Sequence, residues 1–559
     1  MQSTIEPLES RIAPAVFVVN TLGDPANASA GQLSLREAIA DANANALSHP
    51  GANTIIFKPG LEGAIILQNG GLTISSDLII DGPGATKLTI DANYASRIFN
   101  INSSAVTLDG LSLVNGGDAS GNGGAVTTLG SLTIENCVIS GSRAEGGGGV
   151  FAASGAGTTF ILKNSTISGN NTAPSQAGGI YAQAETIQIS NSRITANYAT
   201  GIAGGLLVNG NTIVISNSLI SGNTSRSFAG GVEVSAYTVL GHHGKVLLSG
   251  DQFLGNNSTS GSGGGGLDLY SPLGTPSTIT SSVFANNIAG QAGGGLFIDG
   301  PGALTIRASR FSGNIAGQIG GGIYASSQAG NVTIASSSIL DNQAASSGGG
   351  IGGDGLLEGT TANLFLNISG TTISENHSGD GGGININTRV ATKITGSLIS
   401  DNYSANNGGG ADFEGGNLTV ASTKFIGNTA AAFGGGLEFN SPFGNLTLSG
   451  NTIANNSSTS SGGGIYITNE STFTISGGSI SGNITNGEGG GIFIGGAAAG
   501  SIKSPGLLIT GNIASQPGGG VSHPANATGI VSLSGLAVIG NVGGSSSGLD
   551  YPNIFGNFT

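Results

Sequence analysis

Cysteine is nearly absent. Cys137 is the only one in 559 residues, so no internal disulfide can form and packing must supply the stability. Charge is scarce as well: Asp, Glu, Lys and Arg make up 8% of the chain, against 38% hydrophobic residues. A disordered chain pairs low hydrophobicity with high charge, so disorder is excluded. Basic side chains number 16 against 30 acidic ones, a formal net charge of −14. That argues against nucleic acid or anionic membrane as a partner, since both need a basic surface. No stretch approaches the roughly 18 apolar residues of a membrane-spanning helix. An ordinary secretory signal is not expected either, because no basic segment precedes an apolar one and Glu6 and Glu9 interrupt the first residues.

Glycine is abundant, at 104 residues, but without the three-residue period of collagen. It clusters in a phrase of three glycines, an aliphatic residue, a variable one and another apolar one. Two copies are Gly320-Gly321-Gly322-Ile323-Tyr324-Ala325 and Gly489-Gly490-Gly491-Ile492-Phe493-Ile494. Copies run from Gly124 to Gly520, with a degenerate one at Gly548. The spacing averages roughly 28 residues, a period that marks a solenoid, in which each coil rests on its neighbours and no single large core is needed.

Along the chain, residues 1–15 read as a leader. Leu8-Glu9-Ser10-Arg11-Ile12-Ala13-Pro14 resembles the LEPR-type motif of large bacterial surface proteins, with Ser10 in place of the usual Pro. Residues 16–53 hold a first strand, Val16 to Val19, and a helix from Leu35 to about Asn45. Ser34 and Glu37 have the spacing of a capping box, and Leu35, Ala38, Ile39 and Ala42 share one face. The string from Leu33 to Ile39 resembles the CSLREA motif that opens many bacterial right-handed β-helix surface proteins, with Leu33 where that motif has Cys. Arg36-Glu37 imitates a catalytic pair, yet a helix covering the open end of a solenoid accounts for both residues. Residues 54–121 read as irregular first coils of short strands between Gly and Asp turns, and residues 122–559 as the regular repeat.

Each regular coil carries a second mark, an Asn three residues after a bulky apolar residue, as in Phe311-Ser312-Gly313-Asn314 and Ile480-Ser481-Gly482-Asn483. Five residues earlier lies a Ser or Thr, such as Ser165, Ser309 or Thr423, and Cys137 occupies that slot in its own coil. Cys137 is therefore expected to be a small buried ladder residue. Three short strands per coil predict an all-β, right-handed parallel β-helix: about 15 regular coils of roughly 28 residues, the irregular coils before them and one N-terminal capping helix. Coils stacked about 4.8 Å apart would line up like residues into files, with the Asn side chains bonding from coil to coil.

The combination of Gly-Gly-x-Ile and Phe-x-x-Asn resembles the repeats of the polymorphic outer membrane protein family, which are surface adhesins. The resemblance implies cell-surface or extracellular display and adhesion. The sequence departs from that family in having no C-terminal run of alternating strands for a membrane barrel. Tyr551 to Thr559 offer no obvious cap, which predicts a bare last coil open to self-association or filament growth.

Chemistry would sit on the outward file of residues two after each triple glycine. That file holds two carboxyl pairs on neighbouring coils, Glu233 with Asp268 and Asp412 with Glu438. It also holds the aromatics Phe297, Tyr324, Tyr466 and Phe493. One reading is a glycan groove in which aromatics stack on sugars and the carboxyl pairs act as acid and nucleophile, about 5 Å apart as in a retaining glycosidase. Another is a Ca²⁺ site from Asp412, Glu414 and Glu438. The third is a solvated face whose acids keep it soluble. Gly241-His242-His243-Gly244 only faintly resembles a polygalacturonase motif, and no adjacent aspartates exist. The glycine turns lack the Lys and Ser/Thr of a phosphate cradle. The expected role is structural or adhesive, with a polysaccharide hydrolase or lyase as the alternative.

Overall fold

A strand of three or four residues with apolar residues at every second position buries one face only, so it needs further strands around a shared interior. The coil starting at Leu296 shows how the chain provides them. Leu296–Asp299 forms a first face, Leu304–Arg307 and Arg310–Ser312 a second, and Ile315–Ala316 a short third. Ala308 bends the second face and Gly313 turns the chain toward the third, both with positive φ. Each strand pairs in parallel with its equivalent one coil on: Leu296 with Ile323, Leu304 with Val332, Arg310 with Ser338 and Ile315 with Gln343.

The computed structural model describes residues 14–48, 51–103, 105–173, 176–235, 244–261, 263–271, 276–354, 365–387, 390–442, 444–544 and 553–559. The leader up to Ala13, His242, His243 and Gly548 lie outside the described residues. The chain is an all-β parallel solenoid with one α-helix among the described residues, in two units, Met1–Arg193 and Ile194–Thr559.

In the first unit Val16–Val19 pairs with Asn53–Phe57, and helix α1, Leu35–Asn45, packs against both and against Leu72–Ile74. Ser34 caps α1 in a complete capping box with Glu37, and Leu35, Ala38, Ile39 and Ala42 are buried. Arg36 is held by both Asp24 oxygens, at 2.8 and 3.0 Å, and by the carbonyls of Gly70 and Gly71. Both members of the apparent Arg36-Glu37 pair are thus occupied in fixing the helix. The irregular coils stack in register despite their uneven lengths: Leu72–Ile74, Phe99–Ile101, Val126–Thr128 and Val150–Ala153 are successive rungs of the first face. Cys137 is 2% exposed and its N–H donates to Ser165 Oγ at 3.0 Å, as a ladder residue's should.

In the second unit the Asn file is continuous from Asn197 to Asn541. Asn314 shows the pattern: its Nδ2 donates to Phe284 O and Asn342 Oδ1, and its Oδ1 accepts from the backbone N–H and Nδ2 of Asn287. Each corner thus satisfies a buried carbonyl and a buried N–H that would otherwise go unpaired. Ser and Thr do the same in the parallel file: Ser309 N–H donates to Ser337 Oγ and Ser309 Oγ donates to Arg307 O. Inside, Phe253, Phe284 and Phe311 stack at 4.5 and 4.6 Å, nearly parallel.

The triple glycine answers to three separate demands. Gly320 has φ +68; a Cβ on Gly321 would stand 2.4 Å from Gly349 O; one on Gly322 would press on Gly350 O and Asn342.

The last coil is open, as the sequence leads one to expect: the core-facing Val538 is only half-buried, and Ile539, Val542 and Ile554 are 58%, 57% and 38% exposed. Asn553 Oδ1 accepts from both nitrogens of Asn541 and ends the file, Ile554–Gly556 pairs with Val521–His523, and Thr559 N–H donates to Val531 O at 2.9 Å. Asn553 stands outside the periodic spacing, so the repeat alone did not reveal it. No helix among the described residues is long and apolar enough to cross a membrane.

Candidate functional site

On a first-face strand the residues flanking the variable one point into the core, which turns the variable one outward. The second unit arranges these outward residues in register. Glu233 lies opposite Asp268, Asp268 opposite Phe297 and Phe297 opposite Tyr324. Further along, Asn385 lies opposite Asp412, Asp412 opposite Glu438, Glu438 opposite Tyr466 and Tyr466 opposite Phe493. The file therefore repeats one order, two acids and then two aromatics.

The solvated face expected for this file is not what forms. Asp412 is 1% exposed, Glu438 3% and Asp268 7%. The cause is the glycine turn. A Cβ on Gly408 would stand 2.5 Å from Asp412 Cβ, and one on Gly320 2.6 Å from Tyr324 Cβ, so the turn curls directly over the outward residue of its own coil. In three coils the residue just before the triple glycine adds a lid over the outward residue of the next coil. Ile319 reaches the place where Gly352 has no side chain, Phe433 packs on Tyr466 at 4.6 Å, and Glu488 accepts from Ser522 Oγ at 2.7 Å.

Burial sets the electrostatics. It holds the Asp412 carboxyl well above the usual range, with Glu414 and Asp380 adding repulsion, while a 3.1 Å hydrogen bond from Asn385 Nδ2 works the other way. Burial, then Asp412, Glu414 and Asp380, push Glu438 up as well. Glu233 and Asp268 are raised in the same manner, burial being the first cause for each. Asp412 Oδ1, Glu438 Oε2 and Glu233 Oε2 are buried with no hydrogen-bond partner among the described residues. Burial therefore favours the protonated, neutral form of each of these groups.

Among the described residues no three His, Cys, Asp or Glu side chains converge as a metal centre. The expected Asp412–Glu414–Glu438 cage is not such a group, and Glu414 is exposed while the other two are buried.

The two aromatic pairs differ. Tyr324 is 8% exposed, donates its hydroxyl to Asp354 at 2.8 Å and packs at a tilt against the half-buried Phe297, so the tyrosine of that pair is closed off. Tyr466 and Phe493 are half-buried and stack at 5.0 Å, 4° from parallel. They line a cavity of about 510 Å³, walled also by Glu488, Gln516, Pro524 and Asn526. The stack Phe433, Tyr466, Phe493 stops there because the next outward residue is the small Ser522. Sequence reading found Tyr466 and Phe493 but missed Phe433 and Glu488. Their signal was available: both directly precede a triple glycine, a second file that covers the first with an offset of one coil. Pro524 and Asn526 stand in an irregular turn and carried no signal.

The sequence matches the family described as the right handed beta helix region over residues 63–239 and 155–339. Among solved structures it is similar to the crystal structure of pectate lyase Pel9A, at 15% identity, covering 68% of this chain and 78% of that chain, with a TM-score of 0.31. A search of curated proteins gave no match.

Proposed function

We propose that this right-handed β-helix repeat protein acts at a cell surface or outside the cell in a structural or adhesive role, contacting glycans through the cavity beside Tyr466 and Phe493. The observation that carries the proposal is that cavity. Its 510 Å³ falls within the range of small-ligand sites. It joins an aromatic surface to side chains that donate and accept hydrogen bonds, which is what a sugar ring with one apolar face and a rim of hydroxyls requires. The sealed thiol of Cys137, 2% exposed, suits oxidising surroundings.

Binding without turnover is the better-supported form of this reading. Glycoside hydrolysis by the usual route needs two carboxyl groups against the scissile bond. Asp412 and Glu438 are covered by the turns, and among the described residues the cavity is lined by a single carboxyl, Glu488. The filament alternative draws on the exposed apolar residues of the last coil, Ile539, Val542 and Ile554.

The test is calorimetric titration with a panel of oligosaccharides, each mixture also assayed for new reducing ends or unsaturated products. We expect binding without products, and a loss of about tenfold or more in affinity for Phe493→Ala. Turnover that disappears in Asp412→Asn or Glu438→Gln would replace this reading with the enzymatic one.

A further inference from the structure

The charge around the cavity narrows what can enter it. Among the described residues Glu488 is its one carboxyl, and no Lys, Arg or His lines it. The glutamate is held in place: its backbone N–H donates to Ser461 Oγ at 3.3 Å, and its Oε2 accepts from Ser522 Oγ at 2.7 Å. That leaves Oε1 to accept from a ligand. Ser522 is also the residue at which the aromatic stack ends, so the space beside Phe493 lies next to a fixed carboxylate.

Resting on the reading of this cavity as a glycan site, we propose that the sugar unit seated beside Phe493 is an amino sugar with a free, protonated amino group, as in a glucosamine oligomer, and that uronates are rejected. A sugar hydroxyl can donate to the Glu488 carboxylate as well, but an ammonium adds the attraction of a full opposite charge to that hydrogen bond. A uronate brings a second carboxylate against Glu488 with no cation in the lining to pair it, inside a chain of net charge −14. The cavity thus ranks ligands by charge: amino sugar, then neutral sugar, then uronate.

The experiment is titration at pH 6 and physiological salt with a glucosamine tetramer, cellotetraose and tetragalacturonate. The glucosamine tetramer should bind about tenfold tighter than cellotetraose, and tetragalacturonate should not bind. Glu488→Gln should erase the amino-sugar advantage, bringing the two ligands to similar affinity, and Phe493→Ala should weaken both. Tetragalacturonate binding as well as the glucosamine tetramer, or a preference that survives Glu488→Gln, overturns the amino-sugar assignment and leaves the glycan site standing. Glucosamine binding unchanged by Phe493→Ala signals attraction to the acidic surface at large and overturns both, as does binding of none of the three. Melting curves check each variant's fold, and the wild-type order decides the matter where a variant does not fold.

Discussion

Asp251 shows what one residue does inside a ladder. Its slot belongs to the Ser and Thr file: its oxygens accept from the N–H groups of Ser218 and Ser249, and its own N–H donates to Ser282 Oγ. Burial pushes its carboxyl from 3.8 up to about 7. The unfolded chain releases this proton near the ordinary value, whereas the folded chain keeps it to about pH 7. Its contribution to stability is therefore full below about pH 4, declines as the pH rises to about 7, and is flat beyond. Asn451 fills the same kind of slot two hundred residues on, accepting from Thr423 N–H and donating to Val420 O. Asp251→Asn should accordingly match the parent near pH 4 and exceed it at pH 8 by about 1–3 kcal/mol. Denaturant melts at the two pH values check this, and an equal effect at both would refute it. Periodicity could not announce Asp251, because the file was sought among hydroxyl residues.

At the scale of the element, the triple glycine is a backbone junction and not a flexible hinge. Gly321→Ala places a Cβ 2.4 Å from Gly349 O and 2.5 Å from Gln343 O. Both are backbone atoms of the next coil and cannot step aside, so a cost of about 3 kcal/mol or more is expected. Gly155 provides the contrast: an added Cβ meets nothing within 4 Å, and Gly155→Ala should change stability by less than about 0.5 kcal/mol. Chemical denaturation of the two variants separates a steric junction from a mere preference for glycine. These elements were legible in advance because their constraints are local: a positive φ, a close carbonyl and a corner Asn each mark the sequence at a fixed spacing. The burial of Asp412 and Glu438 was not legible, since it depends on how far the turn at Gly408 folds over its own coil and how far the lid residues reach over the next. Sequence alternation names the side a residue faces and not what lies above it.

At the scale of the molecule, a repeat whose coils touch only their neighbours should tolerate loss of a whole coil but not of part of one. Deleting Ile315–Asn342 joins Asn314 to Gln343, the residue that pairs with Ile315, so every file closes again in register. This variant should fold, keep its β-type circular dichroism and retain glycan binding, with a modestly lower melting temperature. Deleting only Ile315–Ala329 breaks the files and should yield a protease-sensitive product. A shorter protein that failed in both cases would mean that stability is not a sum over neighbouring coils.

Cys137 lies 2% exposed with its thiol pushed up to about 12, so at neutral pH it offers almost no thiolate. A maleimide dye or a spin label would then pass over it. A single cysteine engineered at any exposed position would be the only reactive handle on the chain, and probes could be placed coil by coil without first removing the native sulfur.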